Sequence, residues 1–138
     1  MKRKIVLVDD DRVTLTMLQM VLFKHGYKVF TAEDGQRGLE LVQEIHPDVL
    51  ITDMLLPKID GLSLCKKIKE SPELEKTKVI MITAVYKGIS FRHEAEESGA
   101  DAFVEKPIDT KKLISKIEAL LGPTNYEKES SQSEDKEN

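Results

Sequence analysis

The chain has 138 residues, 40% of them apolar and 33% charged, with a net charge of −4, the profile of about one globular domain. It shows no signal-peptide pattern, and no apolar run approaches the ~20 residues needed to span a bilayer. One cysteine, Cys65, excludes an internal disulfide framework, so a reducing, cytoplasmic compartment is expected.

In chain order, IVLV (5–8) is a short strand that runs into three carboxylates, Asp9, Asp10 and Asp11. Leu15, Leu18 and Leu22 follow at helical spacing, with Asp11 as the expected N-cap and Gly26 after His25 as the stop. VFTA (29–32) is the second strand. Leu39, Val42 and Ile45 mark a second helix, capped by Asp34 and ended before Pro47. VLIT (49–52) is the third strand, with Asp53 at its tip. Leu64, Cys65 and Ile68 mark a third helix, with Asp60 as its cap and Pro72 beyond its end. There Cys65 reads as a small core residue rather than a reactive thiol.

VIMIT (79–83) is the fourth strand, and a weak fourth helix is expected from Ser90 to Ser98, closed by Gly99. AFV (102–104) is the last strand. Leu113, Ile114, Ile117 and Leu121 then form a fifth helix between Asp109 and Gly122-Pro123. Residues 123–138 hold five acids and two lysines, which leaves 20 acids against 19 bases in residues 1–122. The tail has no aliphatic residue and is expected to be disordered and acidic, with residues 1–122 as the folded domain. That domain is nearly neutral and has no basic run, so direct nucleic-acid binding is not expected.

The strands at 5, 49 and 79 are almost continuously apolar, as in a parallel sheet covered on both faces. Five strand–helix pairs give an α/β, doubly wound (βα)5 sandwich with right-handed crossovers. Periodicity alone does not determine strand order; 2-1-3-4-5 is the commoner choice for five strands. Ligands of such sheets bind beyond the carboxyl ends of the strands. In that order the tips of strands one, three, four and five gather Asp9, Asp10, Asp53, Thr83 and Lys106 round one crevice. The three carboxylates offer hard oxygen ligands for Mg²⁺, whose charge would relieve their mutual repulsion. Lys106 and Thr83 suit phosphoryl oxygens, and an aspartate is a competent nucleophile for phosphoryl transfer.

The combination of VDD (8–10), TDMLLPKIDG (52–61), TA (83–84), GAD-F (99–103) and EKP (105–107) resembles the response-regulator receiver domains of two-component signal transduction, chemotaxis regulators among them. The resemblance runs over residues 3–121 and implies the flavodoxin-like order 2-1-3-4-5. It implies that Asp53 is the phosphoacceptor and that Asp9, Asp10 and Asp53 hold Mg²⁺ with the Leu55 backbone carbonyl. Thr83 and Lys106 would contact the phosphoryl group. Phe103 would be the aromatic switch partner of Thr83, and Lys106-Pro107 matches a bond that is often cis. The implied partners are a sensor histidine kinase or phosphotransfer protein and a downstream protein of unstated identity, with no membrane and no nucleic acid. The implied role is a phosphorelay switch rather than a metabolic enzyme, and no DNA-binding module is expected after residue 122. Leu56 stands where the family usually has Met, and VYKGISFRH (85–93) reads as an insert before helix four.

Blander readings attach to several of these residues. Asp60 and Gly61 read as cap and turn, and His25, His46 and His93 as surface or helix-end residues without metal spacing. Lys87, Arg92 and His93 read as a solvated face, with a partner-facing basic patch as the alternative. Phe103 competes with a plain core role. A rival function is a haloacid-dehalogenase-like phosphatase, because Asp9-Asp10-Asp11-Arg12-Val13 fits D-x-D-x-[TV] with Asp9 and Asp11 as its acids. A flavodoxin-like cofactor binder is less compatible, since carboxylates after strand one repel a phosphate. In receivers the side chains two residues after the phosphoacceptor and two after the Thr flank the path of the attacking water. The resemblance puts Leu55 and Val85 there, neither able to accept its hydrogen bond, which implies slow self-dephosphorylation. The alternative is that both side chains fold away as plain packing.

Overall fold

The computed structural model describes residues 2–86 and 89–123. The acidic tail from residue 124 onward therefore lies outside the described residues, as do Lys87 and the side chain of Val85. Strands β1 (Lys4–Val8), β2 (Lys28–Ala32), β3 (Val49–Asp53), β4 (Lys78–Thr83) and β7 (Ala102–Glu105) alternate with helices α1 (Arg12–Lys24), α2 (Gly35–Ile45), α3 (Gly61–Glu70), α4 (Arg92–Glu97) and α5 (Thr110–Leu121). All pairings in the main sheet are parallel, in the order β2-β1-β3-β4-β7, which is the expected 2-1-3-4-5.

The continuous apolar runs are explained by two cores. Ile5, Leu7, Val49 and Ile51 face one side, under Leu15, Leu18 and Leu22 of α1 and Leu113, Ile114 and Ile117 of α5. Val6, Val8 and Leu50 face the other, under α2, Leu64, Cys65 and Ile68 of α3 and Ala95 of α4. Successive strand residues point to opposite faces, so both faces must be apolar. Asp11, Asp34, Asp60 and Asp109 each accept a backbone N–H from the first turn of the helix they precede. Each satisfies an otherwise unpaired donor, an effect of about 1 kcal/mol per cap. His25 and His46 close α1 and α2, and His93 faces Glu97 across one turn at 3.0 Å. No helix among the described residues is long and apolar enough to cross a membrane.

Two expectations need correction. The fourth helix is only six residues, Arg92–Glu97, because Val85–Tyr86 (β5) and Ile89–Ser90 (β6) pair as an antiparallel hairpin that takes up Ser90. Antiparallel pairing satisfies the backbone locally there. The buried face of α2 is also shifted. Gly35, Gly38, Leu41 and Val42 are buried, while Leu39 and Ile45 are only partly so. A Cβ on Gly38 would lie 2.8 Å from Val8 Cγ2. The helix backbone itself thus forms the contact with β1, an approach that apolar periodicity does not reveal.

Candidate functional site

Strand register sets the site. Val8 is level with Thr52, so Asp9, the next residue, comes out beside Asp53. Asp53 is level with Ile82, and Thr83 with Glu105, so Thr83 and Lys106 come out on the adjoining tips. All five residues expected at the crevice meet there. One oxygen from each of Asp9, Asp10 and Asp53 can be chosen such that all lie within 4.8 Å of one another. Lys106 Nζ is 3.1 Å from Asp53 Oδ1.

Asp9, Asp53 and Thr83 are buried, whereas Asp10 is exposed. Asp9 Oδ1 accepts the Asp11 backbone N–H at 2.8 Å. Its Oδ2 is buried with no partner among the described residues, and so is Thr83 Oγ1. Burial pushes the Asp9 carboxyl above the ordinary carboxylate range; the Asp11 N–H opposes this, and the charge of Asp53 reinforces it. Burial likewise raises Asp53, against the pull of Lys106. A buried, unpaired carboxylate oxygen is costly. Two raised acids beside an unpartnered hydroxyl describe a site built to receive a cation and an oxyanion. The oxygen donors and their spacing fit Mg²⁺, which prefers carboxylates and keeps several waters.

Asp11 belongs to the helix. Its Oδ1 accepts Val13 N–H at 3.2 Å and its Oδ2 the Thr14 hydroxyl at 2.7 Å. These bonds, the Thr14 bond first, hold its carboxyl below the usual range. With Asp11 committed to capping, the phosphatase reading through Asp9 and Asp11 finds no support.

The loop after Asp53 is held tightly. Met54 N–H donates to the Ile82 carbonyl at 3.0 Å, and Gly61 N–H to the Met54 carbonyl at 2.8 Å. A side chain at Gly61 would collide with the Asp53 carbonyl oxygen. Gly61 therefore sets the position of Asp53 as well as starting α3, a role beyond the turn that its place after Asp60 suggested. Leu55 stands 64% exposed. Phe103 is partly buried, with Arg92 Cζ 4.4 Å and Lys116 Nζ 5.9 Å from its ring centroid. Arg92 also reaches Glu96, and its stacking on Phe103 is a contact that sequence spacing did not anticipate. The Lys106–Pro107 bond is cis.

The structure is similar to a protein of Chloroflexus aurantiacus J-10-fl assigned as a response regulator (34% identity, 88% of this chain and 98% of that chain, TM-score 0.82). It is also similar to a chemotaxis response regulator of Vibrio cholerae (25%, 87% and 99%, TM-score 0.79). In fold it matches the receiver domain of a sensor histidine kinase from Pseudomonas aeruginosa PAO1, whose active-site cleft coordinates a magnesium ion (24%, 88% and 99%, TM-score 0.80). The family model of the response regulator receiver domain matches residues 5–118. Sheet order, the acidic crevice at the strand tips and this match converge: the chain belongs to the response regulator receiver domain family.

Proposed function

We propose that Asp53 is the residue through which this receiver domain accepts its phosphoryl group, from a phosphohistidine of a histidine kinase or phosphotransfer protein. The observation that carries this is the placement of Asp53, buried at the tip of β3 with Lys106 Nζ at 3.1 Å and two further carboxylates beside it. An Asp53 carboxylate oxygen forms the new P–O bond as the P–N bond breaks, and the imidazole nitrogen departs with the bonding pair and takes up a proton. Lys106 then pairs with a phosphoryl oxygen, and the Thr83 hydroxyl, free of other partners among the described residues, donates to another. Asp9, Asp10 and Asp53, with the Leu55 backbone carbonyl, would hold Mg²⁺. Bound there, Mg²⁺ supplies the positive charge that lets carboxylate and phosphoryl oxygens approach.

Drawing Thr83 toward the phosphoryl group opens space that the Phe103 ring can enter, biasing a two-state equilibrium at the face formed by α4, β7 and α5. That face would then engage the downstream protein, in the cytoplasm. Leu55, exposed and without a hydrogen-bonding group, leaves a hydrolytic water unoriented, so the phosphoryl group is retained for long periods. The deciding experiment is phosphorylation by a small phosphodonor with Mg²⁺. Asp53→Asn should give no acid-labile phosphoprotein, and Asp10→Ala should lose metal affinity. Labelling of Asp53→Asn at the wild-type rate would refute the assignment.

A further inference from the structure

Helix α1 carries an apolar stripe that the fold leaves uncovered. Val13, Met17, Met20 and Phe23 recur at helical spacing on the side away from Leu15, Leu18 and Leu22, with Val13 77% and Phe23 65% exposed. An open groove of about 590 Å³ runs between Arg12 and Lys24, lined by Val13, Met17 and Met20 of this stripe. Large exposed apolar side chains in one row mark a surface that something covers.

The charge of the face selects the occupant. Helix α1 contains no acidic residue. Lys24 lies at its C-terminal end, and Lys2 sits over the Phe23 ring at 5.5 Å. Arg12, at the other end, already pairs with Glu33 at 2.6 Å. A second copy laid on this face would set cation against cation, so self-association is disfavoured. An acidic segment with an aromatic anchor fits, and the chain supplies one. Residues 124–138 hold five acids, two lysines and a single aromatic, Tyr126.

The point of departure is also right. Gly122, just past α5, is held by Arg3 through a 2.7 Å bond to its carbonyl, and Arg3 adjoins Lys2. The segment thus leaves near Lys2 and the Phe23 ring, one turn from Met20. Fifteen residues can reach ~50 Å when extended, whereas a 13-residue helix is ~20 Å long. A tether this short gives a millimolar effective concentration, so weak contacts suffice.

We propose that the acidic segment 124–138 docks on the α1 face, with Tyr126 against Phe23 and Met20 and with Glu127 and Glu129 facing Lys2 and Lys24. The test uses the full chain with a nitroxide on Ser131→Cys; Cys65 is buried and does not compete for the label. The Met17 and Met20 methyl signals should lose most of their intensity, while those of Met54 and Met81, both buried in the α2–α3–α4 core, stay sharp. High salt, which shortens electrostatic range, should restore the signals, and so should Tyr126→Ser or Lys2→Glu combined with Lys24→Glu. Equal broadening of all four methyls, or broadening that arises between molecules when labelled and isotope-enriched chains are mixed, would overturn the proposal.

Discussion

Two lysine–aspartate pairs in this molecule have opposite surroundings. Lys69 and Asp101 meet at 2.7 Å with both side chains mostly covered. Asp101 Oδ2 also accepts Val79 N–H at 2.8 Å, and Lys69 Nζ donates to the Thr77 carbonyl at 2.8 Å. That pair is saturated and ties the end of α3 to the start of β4. The Lys106–Asp53 pair is longer, and beside it lie a carboxylate oxygen and a hydroxyl with no partner among the described residues. A saturated, half-covered charge pair braces the fold; an unsaturated one holds binding capacity in reserve at the expense of stability.

Removing one member of the saturated pair should have the largest effect on stability. Asp101→Ala should destabilise the protein by about 1–2 kcal/mol, because it takes the acceptor from the Val79 amide and leaves Lys69 with backbone carbonyls alone. Denaturant unfolding at pH 7 checks this. Asp9→Asn should do the reverse in magnesium-free buffer and raise the melting temperature. With Mg²⁺ added, the wild type should gain stability and the variant much less.

The pH dependence has a definite sign. Asp9 and Asp53 are raised above their unfolded values, chiefly by burial. Their contribution to stability is therefore fully present below the ordinary carboxylate range and is lost as pH rises through the raised folded-state values. Asp11 and Asp34 are lowered by hydrogen bonds and run the opposite way. Thermal melts of wild type and Asp9→Asn over acidic pH should therefore converge at the lowest pH at which both stay folded and diverge above it. Convergence at neutral pH instead would contradict the sign.

At the rim of the reactive pocket the effects are kinetic or small. Leu55→Asn should hasten loss of the phosphoryl group without changing stability by more than about 0.5 kcal/mol, since the side chain is exposed. A decay time course of the purified phosphoprotein measures it. Arg92→Ala removes the cation stacked on Phe103, an exposed contact of about 0.5–1 kcal/mol. It should free the ring, seen as a shift of the Phe103 aromatic signals with little change in melting temperature.

The residues of the pocket were legible in the sequence because each sits at the end of an apolar run, and a parallel sheet leaves such positions nowhere else to go. The four aspartate caps were legible for a similar reason: a short acceptor before a helix serves the local backbone. The roles of Gly38 and Gly61 were not, since a residue without a side chain leaves no periodic trace and its value lies in what approaches it. Nor were the shortened α4 and the Arg92–Phe103 stack, which depend on a hairpin and on residues 11 apart in sequence. The same holds for the contrast between the two lysine–aspartate pairs. At these four positions the sequence shows only two lysines and two aspartates; the tertiary structure alone decides which oxygens find partners, because saturation is a property of neighbours brought together by strand register and not of any segment alone.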